Sequence, residues 1–132
     1  WYEMMPEHKD VVDGTFMPNE KLPALYRSAK VTLNDHWKDM LDNQIINNRI
    51  FDALACGLPV ISDGCEEMKE IFPDVVLYYD TKEEFDACIK KVENDYEAVK
   101  AKALEQYDMI KKEYSFERRV EELLEIAEKY KK

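Results

Sequence analysis

The sequence predicts a small α/β domain, a doubly wound and mostly parallel sheet with helices on its faces and further helices at its carboxyl-terminal end. Short β-branched runs alternate with helical stretches, the order that builds parallel sheets. Val60-Ile61 and Val75-Val76-Leu77 are continuous apolar runs, as befits strands covered on both faces. From Asp95 onward the spacing is helical and strand signals stop. With 132 residues, 45% hydrophobic and 36% charged, one globular domain spanning 1–132 is expected. The low content of 3 Gly and 5 Pro implies regular elements joined by short loops.

The elements follow in order. Val11-Val12-Asp13-Gly14-Thr15-Phe16 reads as a first strand, weakened by Gly14. Asn19 is placed to cap a helix with Leu22, Leu25, Tyr26 and Ala29 on one side, and Pro23 is tolerated in its first turn. Val31 to Asn34 is a second strand, followed by a polar, irregular loop from Asp35 to about Asn47. Ile46, Ile50, Ala53 and Leu54 form the stripe of the next helix, which Gly57 closes and Pro59 prevents from continuing. Pro59 to Ser62 is a third strand. Met68, Ile71 and Phe72 face one side of a short helix that Pro73 ends, and Val75 to Tyr79 is a fourth strand. Thr81 with Glu84 makes a capping box for a helix carrying Phe85, Cys88, Ile89 and Val92. Tyr96, Val99, Ala103, Tyr107 and Ile110 mark one helical face. Ser115 caps a last helix bearing Phe116, Val120, Leu123, Leu124 and Ala127.

Composition narrows the function. A formal net charge of -10 argues against nucleic acid or an anionic lipid surface as partner, while a small anionic ligand at a helix end remains compatible. Cys56, Cys65 and Cys88 show no C-x-x-C spacing and read as small neutral residues of a reducing compartment. No apolar run approaches the about 20 residues that span a bilayer, and no leader pattern is present, so a cytoplasmic protein is expected. The sequence has no G-x-G-x-x-G, Walker loop, G-x-S-x-G or H-E-x-x-H. His8 and His36 stand at no zinc-like spacing, and no metal is expected.

Ligands of open α/β sheets bind beyond the carboxyl ends of the strands. Three strands there run into Asn34-Asp35-His36, Ser62-Asp63-Gly64 and Asp80-Thr81. Loop polarity and helix capping explain the last two equally well, whereas Asn34 and His36 beside Trp37 suit a pocket. Asn47, Asn48 and Arg49 open the central helix. There the helix dipole, free amides and a forked cation suit a diphosphate. Their structural alternatives are N-capping by the asparagines and an i,i+3 pair between Arg49 and Asp52. Asp52, one turn into the helix, is placed to accept ribose hydroxyls.

The run from Leu22 to Asn34, with Asn34-Asp35-His36-Trp37 and then Asn48-Arg49-Ile50-Phe51-Asp52-Ala53-Leu54-Ala55-Cys56-Gly57-Leu58-Pro59-Val60-Ile61-Ser62-Asp63, resembles the GT-B glycosyltransferases, closest to their group-1 and CgeB-like branch. Tyr114-Ser115-Phe116-Glu117-Arg118-Arg119 resembles the segment before the family's last helix. The resemblance implies a Rossmann-like carboxyl-terminal domain that holds a nucleotide-diphosphate-sugar donor. The sugar passes to an acceptor hydroxyl, with no essential metal and no cofactor. It implies that Asn47, Asn48 and Arg49 face the diphosphate, that Asn34 and His36 line the donor pocket, and that Asp52 holds the ribose. Many members carry two glutamates eight positions apart, here Gln44 and Asp52, so the earlier acid is absent.

The resemblance also implies β–α units ahead of Val11 and a separate acceptor domain. The chain opens at Trp1-Tyr2 rather than at a methionine. An incomplete enzyme is therefore expected, inactive alone, with an open sheet edge that favours self-association. Two other readings stand beside it. One is a non-catalytic α/β module that docks a partner through its helical tail. The other is a hydrolase using Asp35, His36 and Asp63.

Overall fold

The computed structural model describes residue 10 and residues 16–131. The first predicted strand, Val11 to Phe16, lies outside them except for Phe16. A 3-10 turn over Asn19–Lys21 leads into α1, Leu22–Ser28. Asn19 does not cap this helix with its side chain. The Lys21 amide bonds back to the Pro18 carbonyl at 2.9 Å, so Pro18 takes the cap position and coiling begins one residue earlier than expected. Pro23 falls in the first turn, where its missing N–H costs nothing.

β1 is Thr32–Asn34. The loop predicted after it contains a short helix, α2, over Lys38–Asp42. The Trp37 carbonyl accepts from both Met40 and Leu41, and Lys38 bridges to Asp42 at 2.6 Å. A helix this short shows no apolar repeat, which is why periodicity misses it.

α3, Asn48–Ala55, has Ile50, Ala53 and Leu54 fully buried. Its end is closed by two backbone bonds, Gly57 N–H to Leu54 and Leu58 N–H to Ala53, both 2.9 Å. This Schellman arrangement needs a left-handed residue at the second position past the helix, and Gly57 supplies it with φ 71°. The turn feeds β2, Val60–Ser62, through Leu58 and Pro59. α4, Glu66–Ile71, then β3, Leu77–Tyr78, follow. β3 is shorter than predicted: Val75 and Val76 are buried but lie in the turn before it.

α5, Lys82–Asn94, opens on the predicted capping box: Thr81 accepts from Glu84 N–H, and the Glu84 carboxylate returns to the Asp80 and Thr81 amides. α6, Tyr96–Leu104, α7, Tyr107–Glu113, and α8, Phe116–Lys129, complete the chain. Ser115 caps α8 as expected, accepting from Arg118 N–H at 3.2 Å.

The sheet has order β1-β2-β3 and is parallel throughout, with Leu33 opposite Ile61 and Ile61 opposite Leu77. Successive residues of β2 enter different cores, because side chains alternate along a strand. Val60 joins α3, Met68, Phe72, Ala103 and Ile110. Ile61 joins Leu77, Cys88, Val92 and Val99. Both faces of the central strand are thus covered, and its residues are fully buried. The three cysteines are unpaired.

α8 departs from the pattern. Its stripe does not face the core: Phe116 is 87% exposed, Leu123 65% and Leu124 60%. Tyr107, expected on the buried face of the preceding helices, is also exposed.

Gly57 carries a specific cost of replacement. A Cβ there would run into the Leu104 side chain of α6, on a backbone that L-residues disfavour. Gly57→Ala is expected to destabilise the domain by at least about 1–2 kcal/mol, read as a lower urea midpoint.

Candidate functional site

The parallel sheet directs the carboxyl ends of β1 and β2 to the same edge, where α3 begins. Asn34 and His36, 3% and 8% exposed, and Ser62 at 0% are the buried polar residues of the described chain. Burying them is tolerable only if each is hydrogen-bonded. Among the described residues, no buried side-chain polar atom lacks a partner.

The bonds form a closed circuit. Asn34 Nδ2 donates to Ser62 Oγ at 2.9 Å. Ser62 Oγ donates to Asp63 Oδ1 at 3.3 Å. His36 Nδ1 meets the same Oδ1 at 2.6 Å, and the His36 amide donates to Oδ2 at 3.1 Å. The Asn47 amide donates to His36 Nε2 at 3.2 Å. Asn47 Oδ1 accepts from Arg49 N–H at 3.0 Å, and Arg49 Nη1 reaches Asn34 Oδ1 at 3.5 Å. The geometry assigns the tautomer. Nε2 accepts, so the ring proton sits on Nδ1 and faces the Asp63 carboxylate.

The circuit determines what remains available. His36 has both ring nitrogens engaged and its side chain fully buried, and its one lone pair, on Nε2, already accepts the Asn47 amide. Asp35 is exposed and bonds to neither His36 nor Asp63 among the described residues. The Asn47 cap takes the Arg49 amide, and the Asn47 carbonyl takes that of Ile50 at 3.0 Å. The amide expected to be open at this helix end is therefore chiefly that of Asn48.

Arg49 and Asp52 do not form the i,i+3 ion pair that their spacing allows; it is absent among the described residues. Arg49 is exposed, and its guanidinium makes one hydrogen bond among the described residues, to Asn34. Asp52 has no hydrogen-bond partner among the described residues, and desolvation holds its carboxyl above the usual carboxylate range. It lines three clefts, two of which flank α3 near its start. One, about 320 Å³, runs along Asn48, Phe51, Asp52, Tyr114, Phe116 and Arg119. The other, about 360 Å³, runs between α1 and α3 past Leu22, Pro23, Tyr26 and Cys56. Asn48 and Asp52 thus line a cleft, whereas Asn34, His36, Asn47 and Arg49 line neither.

Residue-by-residue reading missed Tyr26, Tyr114 and Arg119. Burial pushes the Tyr26 hydroxyl pKa up, with the Asp52 charge adding to the rise. Arg119 sits 5.5 Å from the Tyr114 ring centre, pairs with Glu122 at 2.8 Å, and donates to the Glu113 carbonyl. The segment Tyr114 to Arg119 is distinctive in sequence, but no local spacing connects it to α3. Among the described residues, no cluster of His, Cys, Asp or Glu is placed to hold a metal ion, and no helix is long and apolar enough to cross a membrane.

A three-stranded parallel sheet within a mostly helical chain, with a polar edge at its strand ends, defines a small mixed α/β domain, consistent with a Rossmann-like one. The chain belongs to the glycosyl transferase-like family, whose model matches residues 2–125. No curated protein and no solved structure matches the chain significantly.

Asp52 offers a test of site character. Its folded pKa is raised, so ionisation burdens the fold as pH rises from the ordinary carboxylate value through the raised one. Asp52→Asn is expected to leave Tm unchanged or higher at neutral pH, with any gain lost below the ordinary carboxylate pKa. Thermal denaturation at both pH values reads this. A lower Tm at neutral pH would show that the carboxylate serves the fold.

Proposed function

We propose that the chain is the donor-binding domain of a metal-independent, cytoplasmic glycosyltransferase of GT-B type, doubly wound in its full sheet. The reaction transfers a sugar from a nucleotide-diphosphate sugar to an acceptor hydroxyl. The observation that carries the reading is the start of α3, which presents an exposed Arg49 and an Asp52 without a hydrogen-bond partner among the described residues, from a backbone tied to two strand ends. A perturbed carboxylate beside a cleft, with a guanidinium one turn away, is what a ligand site requires and what a solvated helix face lacks. Family membership supports the reaction class.

In this reading Arg49 and the Asn48 amide hold the diphosphate, and Asp52 accepts the ribose hydroxyls. Asn34, His36 and Asn47 shape the pocket from beneath. None of them acts as a base, so the chain by itself is proposed to be inactive and to meet the acceptor through another domain. The hydrolase reading finds no support, because His36 Nε2 is occupied.

A second reading is favoured by α8. Its exposed apolar stripe of Phe116, Val120, Leu123 and Leu124 suits a module that docks a protein partner. Nucleotide binding discriminates the two.

Titration with UDP, GDP or TDP is expected to show weak binding that Asp52→Ala and Arg49→Ala each reduce about tenfold or more. No binding of any of them at millimolar levels, also in a chain that includes an acceptor domain, would remove the proposal. β1 leaves one side of its backbone unpaired among the described residues, with Leu33 53% exposed. Concentration-dependent self-association of the 132-residue chain is therefore expected in sedimentation, and a strictly monomeric chain would contradict it.

A further inference from the structure

We propose that His36 is a pH-sensitive positioning residue that holds the amino-terminal end of α3 against the strand ends. The inference starts from the two bonds of its ring. Nδ1–H is fastened to Asp63 at 2.6 Å, and Nε2 accepts the Asn47 amide at 3.2 Å. The first bond anchors the ring to the end of β2. The second ties the ring to the N-cap residue of α3. Asn47 in turn caps Arg49, whose guanidinium returns to Asn34. His36 is therefore the only side chain bonded both to the residue after β2 and to the α3 cap, among the described residues.

Only the neutral imidazole can make both bonds. A proton arriving at Nε2 converts that atom from acceptor to donor. It would then face the Asn47 amide, another donor, at the positive end of the α3 dipole. The Asp63 bond survives protonation, because Nδ1–H donates in either form. Protonation therefore breaks the tie to α3 and keeps the tie to β2. The charged and titratable groups around the ring are few. Asp63 faces Nδ1 from the end of β2. Asp35 adjoins His36 in sequence and is exposed. Arg49 approaches from α3 through Asn34, and the Tyr79 hydroxyl beyond β3 reaches the Asn34 carbonyl at 3.5 Å. Of these, only Asp63 bonds the imidazole itself.

The consequence is a helix start whose placement depends on whether one imidazole carries a second proton. If the donor-site reading above holds, Arg49 and the Asn48 amide move with it, and acid weakens diphosphate binding. That consequence rests on the proposed function; the positioning role does not.

Two variants separate the two bonds. In His36→Gln, the side-chain carbonyl can accept from Asn47 near the Nε2 position. In His36→Asn, the shorter amide can donate to Asp63 near Nδ1 and leaves Asn47 without an acceptor. Nitrogen NMR of the wild-type imidazole is expected to show Nε2 unprotonated at neutral pH. After correction for intrinsic exchange, hydrogen exchange of the Asn47 amide is expected to lose roughly tenfold protection once Nε2 carries a proton in acid. His36→Gln should keep the protection and abolish its pH dependence, whereas His36→Asn should lack it at every pH. A proton on Nε2 at neutral pH, or equal Asn47 protection in wild type and His36→Asn, would overturn the inference. Should His36→Asn not fold, the wild-type tautomer and exchange profile decide alone. A UDP titration across the same pH range adds the functional arm. Its failure at every pH would count against the donor site and leave the exchange result standing.

Discussion

The carboxylate of Asp63 is the point on which the polar edge of this domain depends. It accepts the His36 amide, the His36 ring proton and the Ser62 hydroxyl, so the ends of two parallel strands converge on a single anion. A parallel sheet with order β1-β2-β3 makes this possible, because adjacent strands run out at the same edge. Hydrogen bonds to a charged acceptor are worth about 1.5–3 kcal/mol, roughly twice a neutral bond. Burying Asn34, His36 and Ser62 would otherwise be costly, and the shared acceptor turns that cost into a rigid platform.

The platform has a further effect: it occupies the groups that a chemist would first suspect. His36, the only imidazole among the described residues, is locked as a neutral Nδ1–H tautomer and joins strands to helix. The Asn47 amide is taken by His36, and the α3 amides of Arg49 and Ile50 are taken by the Asn47 cap. What is left facing outward is the Arg49 guanidinium, the Asn48 amide and the Asp52 carboxylate. Such a division is physically coherent. Groups that must be held still are bonded within the fold, and of the groups proposed to meet a ligand only Arg49 keeps a side-chain bond, a long one to Asn34, among the described residues.

Packing around α3 follows the same division. Its buried side, Ile50, Ala53 and Leu54, fills the larger core, while Gly57 turns the chain directly into β2. Asn48 and Asp52 are thereby placed at the boundary between that core and two clefts. α8 obeys a different rule. It is capped and amphipathic, yet its apolar stripe is exposed among the described residues. Its amphipathic sequence makes it a helix without selecting what the stripe should touch.

Much of the fold was legible in sequence because its signals are local. Gly57 and Pro59 mark the end of α3, Thr81 with Glu84 marks the start of α5, and Ser115 that of α8. Apolar runs identify β2 and place β3 to within two residues. α2 and the 3-10 turn before α1 escaped notice, since short turns set by backbone bonds leave no periodic trace. At the edge, residue types alone singled out Asn34, His36, Asn47, Asn48, Arg49 and Asp52. Their division into bonded and free groups was beyond the sequence, which cannot say that Asp63 lies 2.6 Å from His36 or that Arg49 avoids Asp52. Nor can it bring Tyr114 and Arg119 beside α3. Capping and periodicity act within a few residues and are written in the chain. Hydrogen-bond partners and clefts arise between residues far apart in sequence, so only the packed structure decided which polar groups hold the fold and which stand open.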